Sequence, residues 1–165
     1  MELMRIIRHL TLPDWWVRRP LSTAVRAAIE RAIADSETSH RGELRFVAEA
    51  DLPLPALLRG ERVRERAIEM FSRLGVWDTE DNSGVLIYVQ LVDRRVEIVA
   101  DRGINARVPQ SEWDAICRRL EQAYRRGAFE AGTVMAIGEI SAMLRRHFPA
   151  AASNPNELPD RPLVL

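Results

Sequence analysis

The sequence is short of several residue types, and each shortage closes off a class of protein. One cysteine, Cys117, in 165 residues excludes an internal disulfide and fits a reducing compartment. The three histidines, His9, His40 and His147, stand far apart, and no HxxxH or CxxC spacing exists to hold zinc. Aromatic residues are only 6% of the chain, and no basic groove accompanies the tryptophans, which argues against a base-stacking platform. No run approaches the roughly 18 apolar residues needed to span a bilayer. The opening MELMRIIRHL is broken by Glu2, Arg5, Arg8 and His9 and lacks the features of a signal peptide, so a cytoplasmic location is expected. Basic and acidic residues balance at 24 each, so no global field recruits nucleic acid or anionic lipid. GxSxG, P-loop and GxGxxG motifs are all absent.

What is present centres on Trp77 to Gly103, WDTEDNSGVLIYVQLVDRRVEIVADRG. Gly84 to Val92 is the one long apolar run of β type and reads as a buried strand. A turn at Asp93-Arg94 brings Arg95 to Ala100 back beside it as a hairpin. Upstream, Glu43 to Ala50 reads as a strand stopped by the two prolines in Asp51-Leu-Pro-Leu-Pro55. Gly60 to Leu74 is a charged helix with Val63, Ala67, Met70, Phe71 and Leu74 as its apolar stripe, closed by Gly75. A right-handed crossover through that helix makes the two strands parallel.

Two helices precede the sheet. Leu3, Ile6, Ile7 and Leu10 sit at helical spacing ahead of Pro13 and the Trp15-Trp16 pair, and we expect this stripe to pack on the domain. A basic amphipathic helix beside two tryptophans also suits a membrane surface or a partner. Ser22 caps the second helix, which carries Val25, Ile29, Ala32 and Ile33. Two more helices follow the hairpin. One starts at Ser111, with Trp113, Ile116, Cys117, Leu120 and Tyr124 inward and Cys117 an inert buried thiol. The other runs from Phe129 to Phe148 and ends at Pro149. Residues 150–165 have no period and are expected to be mobile, or tied down only by Leu163, Val164 and Leu165. The reading is an α/β fold, a small mixed sheet (parallel βαβ plus β-hairpin) covered by helices. It divides into an N-terminal amphipathic segment (1–20), a domain (21–149) and a tail (150–165).

This topology gathers chemistry at one place. The hairpin sets the start of one strand against the end of the other, so Asp78, Glu80, Asp81, Asn82 and Ser83 approach Asp101 and Gly103. The parallel first strand begins at the same end, which adds Glu37, His40 and Glu43. Hard oxygen donors on loops suit Ca²⁺ or Mg²⁺, although no bidentate Glu follows at the EF-hand position. The same residues equally serve as ordinary turn and cap chemistry.

Three stretches, ERVRERAIEMFSRLGVWDTEDNSGVLIYV, RRVEIVADRGI and GAFEAGTVMAIGEISAMLRRHFP, together closely resemble the TPM domain family over roughly Arg26 to Pro149. Other members of that family include a thylakoid-lumen acid phosphatase, a photosystem-repair protein and a modulator of acetylcholine receptors. The chain resembles the short, soluble bacterial branch. The resemblance implies an α/β/α sandwich, divalent-metal binding and, in some members, phosphatase activity. It carries metal-binding positions onto Asp78, Asp81, Asn82 and Asp101. A metal-dependent phosphomonoesterase would hold Ca²⁺ or Mg²⁺ there, with Asp101 or His40 positioning the attacking water and Arg102 stabilising developing charge. The alternative is a non-catalytic accessory module, with or without structural calcium, peripheral to a membrane and bound to a membrane-associated protein partner.

Overall fold

The computed structural model describes residues 2–151 and 155–165. Four strands form one sheet in the order β3-β2-β1-β4. β1 (Glu43–Glu49) and β2 (Gly84–Gln90) are parallel, with Glu43 opposite Gly84 and Glu49 opposite Gln90. β3 (Arg95–Ala100) returns antiparallel to β2, with Val85 opposite Ala100. β4 (Leu163–Val164) adds a short parallel strand on the free edge of β1, and Leu165 exchanges backbone hydrogen bonds with Ala48 and Ala50.

Both faces of the sheet are covered, which is why β1 and β2 are buried at every residue and read as unbroken runs. On one face Leu44, Phe46, Val85, Ile87 and Ile98 meet α3 (Thr23–Glu37), α7 (Gln110–Arg125) and α8 (Phe129–His147). On the other, Val47, Leu86, Tyr88 and Val99 meet Ala67, Met70 and Phe71 of α5 (Val63–Arg73), with Leu158 of the tail beside them. The α/β/α sandwich and the mixed sheet therefore match expectation. Arg66 of α5 reaches across to Glu49 of β1, joined by Tyr88 of the neighbouring β2, and the Glu49 carboxylate accepts two guanidinium hydrogen bonds and the phenol hydroxyl. A buried charge is tolerable only when its acceptors are satisfied in this way.

Several local readings differ. α4 (Leu54–Leu58) forms where the prolines were read only as a stop. Pro53 is its N-cap and Pro55 lies in the first turn, where a missing N–H has no intrahelical partner to lose. α7 starts at Gln110 behind Pro109, not at Ser111, and Asp114 accepts a hydrogen bond from the Gln110 side chain. A single turn, α6 (Arg102–Asn105), follows β3 with Asp101 as its cap.

The largest difference concerns α1 (Glu2–Thr11). Its apolar stripe does not pack on the domain: Leu3 is 71% exposed, Leu10 63% and Ile7 44%. The opposite face is the docked one. Arg5 pairs with Asp93 and reaches the carbonyl of Glu61. His9 bonds Asp93 and the backbone of Leu52, and Arg8 donates to the carbonyl of Val92. The helix is seated by its polar side with its oily side outward. The following α2 (Asp14–Arg18) buries Val17 against Ala50 and Val92 while leaving Trp15 71% exposed.

Candidate functional site

The carboxylates do share one end of the sheet. Leu44, Val85 and Ala100 are level across β1, β2 and β3, so Glu43, Gly84 and Asp101 share the next row, and the Asp101 amide donates to the carbonyl of Gly84. The Gly103 amide donates to Asn82. A Cβ on Gly103 would lie 2.5 Å from the carbonyl oxygen of Asn82, so only glycine lets these two loops close.

What the loops then do with their side chains is more specific. Asp81 pairs with Arg41 at 2.6 Å, and Asn82 Oδ1 accepts from Arg102 Nε at 2.8 Å. Asp101 Oδ1 caps α6 by accepting from the Arg102 amide, while its Oδ2 is buried without a hydrogen bond. Asp78 is exposed. His40 is fully buried, with Nδ1 against the carbonyl of Gly42, and burial pulls its pKa down to about 4. At neutral pH that imidazole is uncharged.

Glu37 and Glu43 also stand at this end. Glu37 accepts from the Leu44 amide, and burial, with Glu43 and Asp160 nearby, pushes its carboxyl up to about 9. Glu43 accepts from the Leu158 amide, tying the tail to the sheet, and burial raises its pKa as well. The partners Arg41 and Asp160 were not visible in the sequence, because nothing in local spacing says which distant side chain a loop carboxylate will meet.

Among the described residues no three His, Cys, Asp or Glu side chains stand together as a metal-holding group. Of the four oxygen-bearing side chains assigned to a metal, two face guanidinium groups, one is out in solvent and one offers a single uncommitted oxygen. Calcium takes six to eight oxygen ligands. As arranged, the donor set does not fit a divalent ion.

The opposite end of the sheet, where β1 and β2 finish, is different in character. A cleft of about 1170 Å³ opens there between α1–α2, the β2–β3 turn and the start of α8. Leu12, Val25, Leu91 and Phe129 give it an apolar lining, and Arg8, Arg19, Arg94, Arg95 and Arg125 stand around it. Ligand sites of open α/β sheets lie outside the carboxyl ends of parallel strands, which is this end.

The model of the TPM domain matches residues 19–143. The chain belongs to the TPM domain family. Its fold is similar to the NMR structure of the BA42 protein from the psychrophilic bacterium Bizionia argentinensis, at a TM-score of 0.76 and 29% identity over 87% of this chain and 94% of that one. The N-terminal domain of a protein from P. gingivalis shares the fold at a TM-score of 0.63 and 17% identity, over 79% of this chain and 82% of that one. The search of curated proteins gives no match. The TPM match begins at Arg19, so α1 and α2 both lie ahead of the matched region. No helix among the described residues of this TPM domain is long and apolar enough to cross a membrane.

Proposed function

We propose that this TPM domain is a non-catalytic interaction module that works on the surface of a membrane, held there by α1 and Trp15. The observation that carries the reading is the inverted seating of α1. A helix normally hides its apolar stripe against the domain; here Asp93 and three backbone groups claim the polar face instead. Leu3, Met4, Ile7 and Leu10 are left as a continuous outward stripe. Each would contribute about 1.5–3 kcal/mol on full burial in an apolar phase. Tryptophan beside such a stripe is the residue of membrane–water boundaries. Leu54 and Leu58 add exposed apolar surface on α4, between Leu52 and Glu61, two of the points that α1 contacts.

The exposed cations near this face are arginines, Arg8, Arg19 and Arg59 among them, which favours an anionic leaflet over a neutral one. The test is co-sedimentation of the full chain with phosphatidylglycerol-containing vesicles, beside the variant carrying Leu3→Ser, Ile7→Ser and Leu10→Ser. These side chains are exposed, so the variant should fold. Binding that drops at least about tenfold in the variant supports the module. Equal sedimentation of both proteins, or none by the parent, removes it.

The competing reading is a metal-dependent phosphomonoesterase at the carboxylate end. One observation favours it, the buried Oδ2 of Asp101 without a hydrogen bond. Because Asp81 and Asn82 are held by arginines, no catalytic step is derived for it. Hydrolysis of p-nitrophenyl phosphate that needs Mg²⁺ or Ca²⁺ and disappears in both Asp101→Asn and Asp81→Asn would replace the module reading.

A further inference from the structure

The cleft at the strand ends combines two surfaces that seldom meet by accident. Its lining is apolar where Leu12 and Val17 of the N-terminal helices face Val25, Leu91 and Phe129. Its margin is cationic. Arg95 and Arg125 both turn toward Glu121, at 3.5 and 3.6 Å, and Arg8 is bonded to the carbonyl of Val92. The guanidinium groups of Arg19 and Arg94 have no ion-pair or hydrogen-bond partner among the described residues, although both backbone amides are bonded within their turns. Of the two acids lining the cleft, Asp93 is turned to Arg5 and His9, and Glu121 behind it engages Arg95 and Arg125, which leaves Glu130 beside Arg8, Arg19 and Arg94.

Arg94 adds an independent observation. It is held at φ 54, in the left-handed region where a branched or long side chain is strained and where glycine or asparagine normally occupies a hairpin turn. Such strain persists where the side chain itself is wanted at that spot. The turn could have been closed more stably by glycine, yet a guanidinium stands there, on the cleft.

We infer that this cleft binds an anionic amphiphile: a single hydrocarbon chain with a carboxylate or phosphate head. The chain lies along Leu12, Val25, Leu91 and Phe129, and the head meets Arg94 and Arg19. Guanidinium suits both heads because its fork matches two oxygens at once. The volume, about 1170 Å³, is ample for one chain, since pockets for small ligands run from roughly 300 to 1,000 Å³. Trp16 lines the same cleft and supplies a fluorescence signal. This site is distinct from the outward stripe of α1, so the two readings stand or fall separately.

The test titrates the full chain with dodecanoate and with dodecyl phosphate, each below its micellar concentration, by tryptophan fluorescence and calorimetry. Dodecanol and butyrate are the controls, one lacking charge and the other lacking chain. We expect saturable binding of both anions, weaker by at least about tenfold for either control. Arg94→Gly relieves the backbone strain while removing the guanidinium, so it should raise the melting temperature and weaken dodecanoate binding at the same time. Arg19→Ala should weaken the anions without changing dodecanol. Binding of dodecanoate unaltered in both variants, controls that bind equally well, or no saturation overturns the inference. Loss of vesicle sedimentation in the α1 stripe variant with dodecanoate binding intact would confirm that the two sites are separate. Displacement of dodecanoate by lysophosphatidylglycerol below its micellar concentration assigns the ligand to a single-chain phospholipid; its persistence assigns a free amphiphile.

Discussion

His9 Nε2 lies 3.2 Å from Asp93 Oδ1, joining the first helix of the chain to the turn between β2 and β3. The other ring nitrogen, Nδ1, accepts from the Leu52 amide, so in the neutral ring Nε2 carries the proton and donates it to the carboxylate. Arg5 completes the arrangement from one turn earlier. Burial alone would raise the Asp93 carboxyl, but the hydrogen bonds from His9 and Arg5 outweigh it and hold it below its ordinary 3.8.

Asp93→Asn should therefore release α1 rather than unfold the domain. We expect a loss of about 2 kcal/mol, because the amide removes the charge facing Arg5 and leaves one acceptor oxygen for two donors. Amides of residues 2–11 should exchange faster while those of β1 and β2 stay protected. The depressed pKa means this contribution is present above pH 3.8 and is lost as pH falls below it. In the variant that acid limb should be shallower.

Glu37 and His40 make opposite contributions to stability against pH. The folded Glu37 carboxyl keeps its proton up to about 9 while an unfolded one ionises near 4.5, so stability is lost as pH rises between those values. His40 stays neutral down to about 4 while an unfolded one protonates near 6.5, so stability is lost as pH falls between those values. The two slopes offset between pH 4.5 and 6.5, and above 6.5 Glu37 acts alone. Urea unfolding should show a near-flat region followed by a decline of up to about 3 kcal/mol toward pH 9. Glu37→Gln keeps an acceptor for the Leu44 amide and should abolish that decline. An unchanged slope in the variant would refute the assignment.

Gly84→Ala should be severely destabilising, by more than about 3 kcal/mol, because a Cβ there would sit 1.9 Å from the carbonyl oxygen of Val76. Gly138→Ala is the matched control. Nothing lies within 4 Å of its added methyl, and it stands inside α8, so melting temperature should rise with a gain of about 0.5–1 kcal/mol.

Calcium or magnesium at millimolar concentration should leave the melting temperature unchanged, because Arg41 and Arg102 already engage Asp81 and Asn82. Ligand at a hundred times its dissociation constant would stabilise the fold by about 2.7 kcal/mol, a shift that scanning calorimetry resolves easily.

Much of the fold was legible because the signals were local and periodic. The run from Gly84 to Gln90 is buried on both faces, and the turn at Asp93-Arg94 set the register that brings Asp101 beside Gly84. β4 was not legible: a two-residue strand after a proline-rich stretch has no period, and its pairing partner lies more than a hundred residues away. The seating of α1 shows the limit most clearly. Its stripe is plain in the sequence, but which side faces inward was decided by Asp93, Leu52, Val92 and Glu61, none of them near it in the chain. The candidate site divides in the same way. The gathering of acids followed from strand order, whereas their capture by Arg41 and Arg102 depended on loop geometry that spacing does not encode.

The two ends of the sheet differ in charge. Arg8, Arg19, Arg94 and Arg125 stand where β1 and β2 finish, whereas Arg41 and Arg102 face Asp81 and Asn82 where they begin, and Glu37 there keeps its proton up to about 9. With a net charge of zero, the chain has no overall pull toward an anionic surface. On the membrane reading proposed above, an anionic bilayer would nevertheless attract the arginine end first, because a field turns an uneven charge distribution without needing net charge, and that would bring the cleft and the N-terminal helices to the lipid.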